Sequence, residues 1–364
     1  MLLTRDLGFD THVATAQMVT SGARYRSEAA RRIAYWDEIG AAFRAIPGVT
    51  AVGVGTWVPL GMGGSTFVEI EGRDAPNSGA GYRVVSEDYF RAMGISLQAG
   101  RVFGAGDGPG TERVAIVSRM MAQKYWAGRN PIGLRVRALG MESNGLAAAP
   151  WLTIIGVVGD VRHWGLESEL SPEMYVLFRQ VPAFTSSMTV VVRSSVPPAR
   201  LWREMRARSR AVDPLIAADI GTLDAKLDAL LAPRRLTMSL LTGFAVLALL
   251  LAALGVYGVI SYAVAQRTRE LAVRAALGAQ RAQLLLLVMR DAGRIVGAGM
   301  VAGLICMAWL SRSMAAMLIE VSGVDLVTYV SAVLLLTIVA GIAVLVPARR
   351  ATMSDPMKAL SAEV

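Results

Sequence analysis

The sequence predicts an α+β extracytoplasmic domain followed by an all-α transmembrane domain of three helices. Three observations carry this. Long uncharged stretches crowd into the last third of the chain. The first two thirds alternate short strand-like and helix-like patterns. A basic stretch, 266–294, separates the first two uncharged segments and holds six arginines against two acids.

Composition agrees. The 364 residues are 54% hydrophobic and 18% charged, with a mean hydropathy of +0.46. That is too apolar for a wholly soluble protein and too charged for a wholly membrane one. The net charge of +9 rests almost entirely on arginine, with lysine only at 124, 226 and 358. These arginines are scattered or flank apolar spans, so membrane flanks account for many of them and nucleic acid is not an expected partner. The single cysteine, Cys306, lies in an apolar run and has no intramolecular partner, so it says nothing about redox compartment.

In chain order, His12 to Thr20 has strand character. Arg24 to Ile46 is expected to be a helix, because Tyr25, Ile33, Trp36, Ile39, Phe43 and Ile46 recur at three- and four-residue spacing. Pro47-Gly48 ends it. Val49 to Val58 and Thr66 to Glu71 alternate as strands. Tyr82 to Val85 is a strand, and Asp88 to Met93 a short helix with Ser86 as its N-cap. Arg113 to Val117 leads into a helix from Arg119 to Trp126, and Ile132 to Arg137 and Thr153 to Val158 are strands around an irregular loop, 139–150. Met174 to Phe178 and Met188 to Val192 follow as strands. Pro197 to Ala211 is a helix with proline in its first turn. Ile216 to Ile220 and a helix from Thr222 to Arg235 close the domain. The end thus repeats the β-α-β pattern of the start. Residues 11–75 and 174–235 are expected to form one core unit, with 80–165 as an inserted lobe, in a domain spanning 1–235.

The membrane domain is 236–364. Its expected spans are 236–265, 295–318 and 327–346. A crossing needs roughly 20 apolar residues. The second span meets this only if Arg312 snorkels to the interface. Small residues such as Gly297, Gly299 and Gly303 would let helices approach closely, or are simply common in spans. The C-terminal tail carries Arg349, Arg350 and Lys358 against Asp355 and Glu363; loop 312–326 carries Arg312 against Glu320 and Asp325. Positive loops stay in the cytoplasm. This places 266–294 and the C-terminus inside, and 1–235 outside.

No catalytic constellation is visible. The two histidines are His12 and His163, and the Asp160–His163 stretch lacks a third ligand, so it reads as a solvated turn. The glycine-rich run Gly104–Gly110 lacks the Lys-Ser/Thr of a phosphate loop and reads as a flexible turn. The chain is therefore not expected to be an enzyme, and no catalytic, cofactor or metal-binding residue is assigned. Trp126, Trp151 and Trp164 are expected to pack rather than to cage a ligand; Tyr257 and Tyr262 are expected to pack between helices.

Within 266–294, Arg267, Arg269, Glu270 and Arg274 form a charged face at helical spacing, opposite Leu271, Ala275 and Gly278. Leu284, Leu285, Leu287 and Val288 then make an apolar stripe suited to the membrane interface. On these residues alone, a positive-inside loop without a partner is the favoured reading over a coupling segment.

From Arg269 to Ala279 the sequence, RELAVRAALGA, resembles the FtsX/MacB-type permeases of ABC transporters. That family carries Arg-Glu-Ile/Leu-x-Ile/Val-Arg-x-Ala-Leu/Ile-Gly-Ala in a cytoplasmic segment between its second and third spans. Pro347, Arg349 and Arg350, followed by Asp355 and Pro356, look like its closing motif. Asp88–Ile95, Val114–Val117, Asn130–Gly133 and Gly156–Val161 are similar to the MacB-like extracytoplasmic domain. The resemblance covers nearly the whole chain. It implies a permease subunit of mechanotransmission type in the bacterial inner membrane, itself without cofactor. A partner ABC ATPase binds the ATP, and the permease works as a homodimer or with a second permease half, among membrane lipids. The resemblance further implies that Arg267, Arg269, Glu270, Arg274, Leu277, Gly278 and Ala279 form the ATPase-coupling segment. The family has four spans, one of them ahead of the outer domain, whereas this sequence opens MLLTRDLGFD with no apolar run. A first span upstream of Met1, through a misassigned start or a split gene, is the expectation. The alternative is a membrane-tethered binding or scaffold module, or a permease fragment without function.

Overall fold

The computed structural model describes residues 7–20, 23–26, 28–61, 63–73, 78–139, 149–163, 169–267, 270, 273–274, 277, 280–315 and 326–353. The chain divides into two compact units, Met1–Pro233 and Arg234–Val364. The first mixes strands and helices; the second is helical.

The first unit holds β1 (Ala14–Val19), α1 (Ala23–Arg26), α2 (Ala29–Arg44), β2 (Val49–Gly55), β3 (Ser65–Ile70), β4 (Ser78–Val85), α3 (Tyr89–Met93) and β5 (Leu97–Gly100). It continues with β6 (Val114–Ser118), α4 (Arg119–Trp126), β7 (Arg135–Leu139), β8 (Leu152–Val158), β9 (Glu173–Leu177), β10 (Ser187–Ser194), α5 (Pro198–Val212) and β11 (Asp219–Thr222). The strands pair in the order β11-β1-β10-β2-β4-β3-β7-β8-β6-β9, with β5 on β8.

Two groups of strands result. β11, β1, β10 and β2 form an antiparallel sheet, in register at Ala14↔Thr222, Ala14↔Val192 and Val191↔Gly53. Trp36, Ile39 and Phe43 of α2 and Leu201 and Met205 of α5 are buried against it. On the other face α3 sits close to β2: a Cβ on Gly53 would lie 2.6 Å from the Tyr89 Cα, and one on Gly55 2.7 Å from the Tyr89 ring. Successive side chains alternate faces, so Val52 and Val54 point away from α3. The second group closes on itself, because β9 pairs with both β6 and β4. The circuit β4-β3-β7-β8-β6-β9 is thus a ring of six strands. A single residue pair, Gly55↔Val85, joins the groups through β2 and β4.

Several local expectations change. β3 and β9, assigned from sequence to the core unit 11–75 and 174–235, are hydrogen-bonded within the ring. β5 has every side chain exposed and no alternation to mark it as a strand. The helix expected over 24–46 is interrupted between α1 and α2, where the Tyr25 carbonyl accepts from Arg32 Nη1 at 2.7 Å. Pro47-Gly48 follows α2 as expected, with Gly48 at φ +87°, a left-handed conformation that favours glycine. Ser86 does not cap α3; its Oγ accepts the Val54 N–H at 2.9 Å and ties the strand groups together. Ser118 does cap α4, accepting from the Met121 N–H at 3.1 Å. In the glycine-rich run, Asp107 accepts the Gly104 N–H at 2.8 Å and two Arg101 N–H groups, which fixes the turn.

The helix expected over 222–235 and the first span are one element, α6 (Leu223–Gln266), 44 residues long with Pro233 inside it. α7 (Arg281–Ala315) and α8 (Leu326–Met353) follow in the second unit. There, Ile260 and Val344 are buried, with Val256, Val264 and Met289 against them. A cavity of about 310 Å³ opens among Leu249, Val256, Ile295, Gly299, Met300 and Leu336. Among the described residues α6 is the one helix long and apolar enough to cross a membrane; shorter apolar stretches are Gly293–Trp309 and Val330–Leu345. Of the two readings of Gly297, Gly299 and Gly303, a close helix approach is not seen among the described residues: a Cβ there meets nothing within 4 Å. Nor is Tyr262 packed between helices; it is 67% exposed and accepts from Gln266 Nε2 at 2.9 Å.

Candidate functional site

The expected coupling segment lies between α6 and α7. Arg267 ends the α6 turn, its N–H on the Val264 carbonyl at 3.1 Å. Glu270 and Arg274 pair across one helical turn at 2.7 Å, each about half exposed. In this order such a pair contributes about 0.2–0.5 kcal/mol. The Leu277 N–H reaches the Val273 carbonyl at 3.0 Å, and its side chain is 83% exposed. Gln280 and Gln283 cap α7 reciprocally: Gln283 Oε1 accepts the Gln280 N–H at 3.1 Å, and the Gln280 carbonyl accepts the Gln283 N–H at 2.9 Å. Arg269, Gly278 and Ala279 lie outside the described residues, as do Asp355 and Pro356. Pro347, Arg349 and Arg350 fall on α8.

Sequence reading missed a second group, in the first unit. Arg83 on β4 and Glu173 on β9 are both fully buried and pair at 3.1 Å. Arg83 also donates to the carbonyls of Gly64 at 2.6 Å and Tyr82 at 3.1 Å, and to His163 Nε2 at 3.4 Å. That last bond makes Nε2 the acceptor and leaves the His163 proton on Nδ1. Glu173 Oε1 accepts the Ser171 hydroxyl at 3.0 Å. A Cβ on Gly81 would lie 2.2 Å from the Glu173 carboxylate, so only glycine leaves room for it. Glu173 Oε2 and the hydroxyls of Tyr89 and Tyr175 are buried without a hydrogen bond. His163 is therefore not in a solvated turn; only 3% of it is exposed. Its sequence neighbour Asp160 instead caps α4, accepting the Met120 N–H at 2.6 Å and Arg119 Nε at 3.0 Å. The one available signal was a charge set inside apolar strand runs, as in GYRVV and PEMYVLF.

Burial pushes the Glu173 carboxyl up to about 7, with Arg83 and Ser171 pulling the other way. Burial, and then the charge of Arg83, push His163 well below its usual range, so it stays neutral. The two act oppositely on stability. Folded Glu173 keeps its proton where the unfolded chain has lost it, so stability falls as pH rises from about 4.5 to about 7. His163 lowers stability as pH falls below about 6.5, where the unfolded chain binds the proton. Between pH 8 and 6.5 the Glu173 effect is the larger of the two, and the unfolded chain's histidine, half protonated at pH 6.5, offsets only part of it. The first unit is expected to melt at a higher temperature at pH 6.5 than at pH 8, and Glu173→Gln is expected to flatten that slope. Thermal melts of both chains at the two pH values decide it; an unchanged slope in the variant would assign the effect elsewhere.

Among the described residues no three His, Cys, Asp or Glu side chains are grouped to hold a metal ion. The sequence matches the model of the MacB-like periplasmic core domain over residues 6–208. It matches that of the FtsX-like permease C-terminal over residues 242–356. The Macrolide export ATP-binding/permease protein MacB of Neisseria gonorrhoeae is 25% identical over 234 residues, which is 59% of this chain and 34% of that protein. The Uncharacterized ABC transporter permease YknZ of Bacillus subtilis is 27% identical over 230 residues, 59% of this chain and 54% of that one. The chain thus spans between a third and a little over half of these relatives. Among solved structures, the periplasmic region of MacB from Actinobacillus actinomycetemcomitans aligns with a TM-score of 0.43 at 17% identity, over 63% of this chain and 97% of that one.

Proposed function

Because this chain belongs to the ABC permease family that joins a MacB-like periplasmic core domain to an FtsX-like C-terminal part, we propose that it couples a partner ATPase to movement of its outer domain. The observation that carries this reading is the order of the two family regions around α6, which starts at Leu223 and ends at Gln266. At about 1.5 Å per residue, a helix of 44 residues is about 66 Å long. A helix is stiff along its axis, so a displacement at one end is felt at the other.

In this reading α6, α7 and α8 each span the inner membrane, with residues 1–235 outside and the C-terminus in the cytoplasm. Arginines of the loop between α6 and α7 favour the cytoplasmic side. The ATPase docks on Arg267–Ala279, and ATP binding in it drives the permease, itself no enzyme, as a homodimer or with a second permease half. The movement expels a substrate already outside the membrane, or signals to a partner there.

The test is purification of the tagged chain from its native membranes in mild detergent, with mass spectrometry of what accompanies it and an ATPase assay. An ATP-binding subunit in the complex is the expected result. A chain that comes out alone, with no ATPase activity, would favour a tethered binding or scaffold module.

A further inference from the structure

We propose that a polar cleft in the first unit binds a small anion through a carboxylate or phosphate group. The cleft encloses about 480 Å³, within the usual range for small-molecule sites. Both strand groups line it. Asp10 and Arg193 come from the β1 and β10 side; Ser96, Gln98, Arg119 and Asp160 come from the ring side.

Hydrogen-bond accounting sets the sign of the ligand. The acids are already engaged. Asp160 holds the Met120 N–H and Arg119 Nε, and only 6% of its side chain is exposed. Asp10 accepts the His12 N–H at 2.9 Å and faces Arg193 Nη2 at 3.1 Å. The guanidinium groups keep donors in hand. Each carries five N–H groups. Arg119 spends its Nε on Asp160, while its side chain stays 55% exposed. Arg193 spends Nε on the Ala92 carbonyl at 3.1 Å and Nη2 on Asp10, and stays 33% exposed. Two anchored cations with spare N–H groups, beside the amide of Gln98, suit an oxyanion, which accepts charge-assisted bonds in pairs. A cation finds no uncommitted carboxylate here.

Backbone geometry shapes the same place. Gly94, at φ +74°, leaves the Arg193 guanidinium room that a Cβ would fill, at 2.5 Å from Nη2. Gly8, at φ +78°, lets the N-terminal segment run against Asp160, whose carbonyl would be 1.8 Å from a Cβ. A ligand held from both sides would fix the strand groups to each other across their single paired residue. This inference stands apart from the coupling role; its failure would leave that role untouched.

The experiment is thermal melting of the full chain in detergent with inorganic phosphate or succinate, against sodium chloride at equal ionic strength. A saturable rise in melting temperature with at least one probe is expected, and the probe that acts separates phosphate from carboxylate recognition. Arg119→Gln, which leaves Asp160 on the Met120 N–H, is expected to weaken apparent affinity at least tenfold. Ser96→Asp sets a fixed negative charge on the cleft wall, touches neither α4 nor β10, and is expected to abolish the effect. Both variants should melt near the parent temperature without probe. If neither probe exceeds the chloride control, or if both variants respond like the parent, the cleft is not an anion site.

Discussion

Glu173→Ala is expected to lower the melting temperature of the first unit by roughly 10 °C at pH 8. Removing one member of a buried ion pair costs about 3–5 kcal/mol, because the other charge is left without a countercharge or water. In a unit of this size each kcal/mol shifts the midpoint by roughly 2–4 °C. Arg83 has no exposed surface to which it can turn. Without Glu173 it keeps the Gly64 and Tyr82 carbonyls and loses its only full negative neighbour in the cluster. Glu173→Gln is expected to cost much less at pH 6.5 than alanine does, since the native carboxyl, pushed up to about 7, largely carries its own proton there. Replacing both members by methionine should recover most of the loss, as apolar replacements of buried pairs are often neutral or better. Melts of Arg83→Met, Glu173→Met and the double variant, followed by tryptophan fluorescence, measure the coupling. Additive shifts would mean that the two charges do not depend on each other.

That cluster also shows where sequence reading stops. Residues near in the chain and periodic in character were legible. α4 runs from Arg119 to Trp126 as expected, because Ser118 supplies the cap and Met121 and Tyr125, four apart, supply the buried face. α5 follows its amphipathic pattern, burying Leu201, Met205 and Ser209. Partnerships between distant segments were not legible. Arg83 and Glu173 are ninety positions apart and meet only because β4 and β9 run parallel, which closes the ring. The same pairing took β9 out of the group to which its neighbours in sequence assigned it. His163 misled for the same reason: its sequence context is turn-like, but its imidazole meets Arg83 at 3.4 Å and Glu173 at 3.8 Å, and its carbonyl accepts the distant Leu60 N–H at 3.0 Å.

The cleft was hidden likewise, since Asp10, Arg119 and Arg193 come from three remote stretches. The segment proposed for coupling stood out for the opposite reason. Its arginines and small residues form one local run bracketed by apolar stretches, and its resemblance to a family motif lies in eleven consecutive residues, Arg269–Ala279. Helical pairing of Glu270 with Arg274 is what that spacing demands.

Gly278→Trp is expected to reduce coupled ATPase activity at least about tenfold while leaving membrane insertion intact. In sequence Gly278 lies next to Leu277 and two residues before Gln280, whose N–H donates to Gln283 Oε1 at the start of α7. Indole bulk there would hold off any surface approaching the segment. By contrast, Arg274→Ala removes only an exposed pair contributing a few tenths of a kcal/mol within the helix. The glycine change should therefore outweigh the arginine change in coupling unless Arg274 contacts the ATPase itself. Neither variant touches α6, which among the described residues is the one helix long and apolar enough to cross a membrane. The measurement compares ATPase activity of the co-purified complex in proteoliposomes with the amount of chain in the membrane fraction. Full activity in Gly278→Trp would remove this segment from the coupling path. Loss of the chain from the membrane would instead place Gly278 in folding of the connection between α6 and α7.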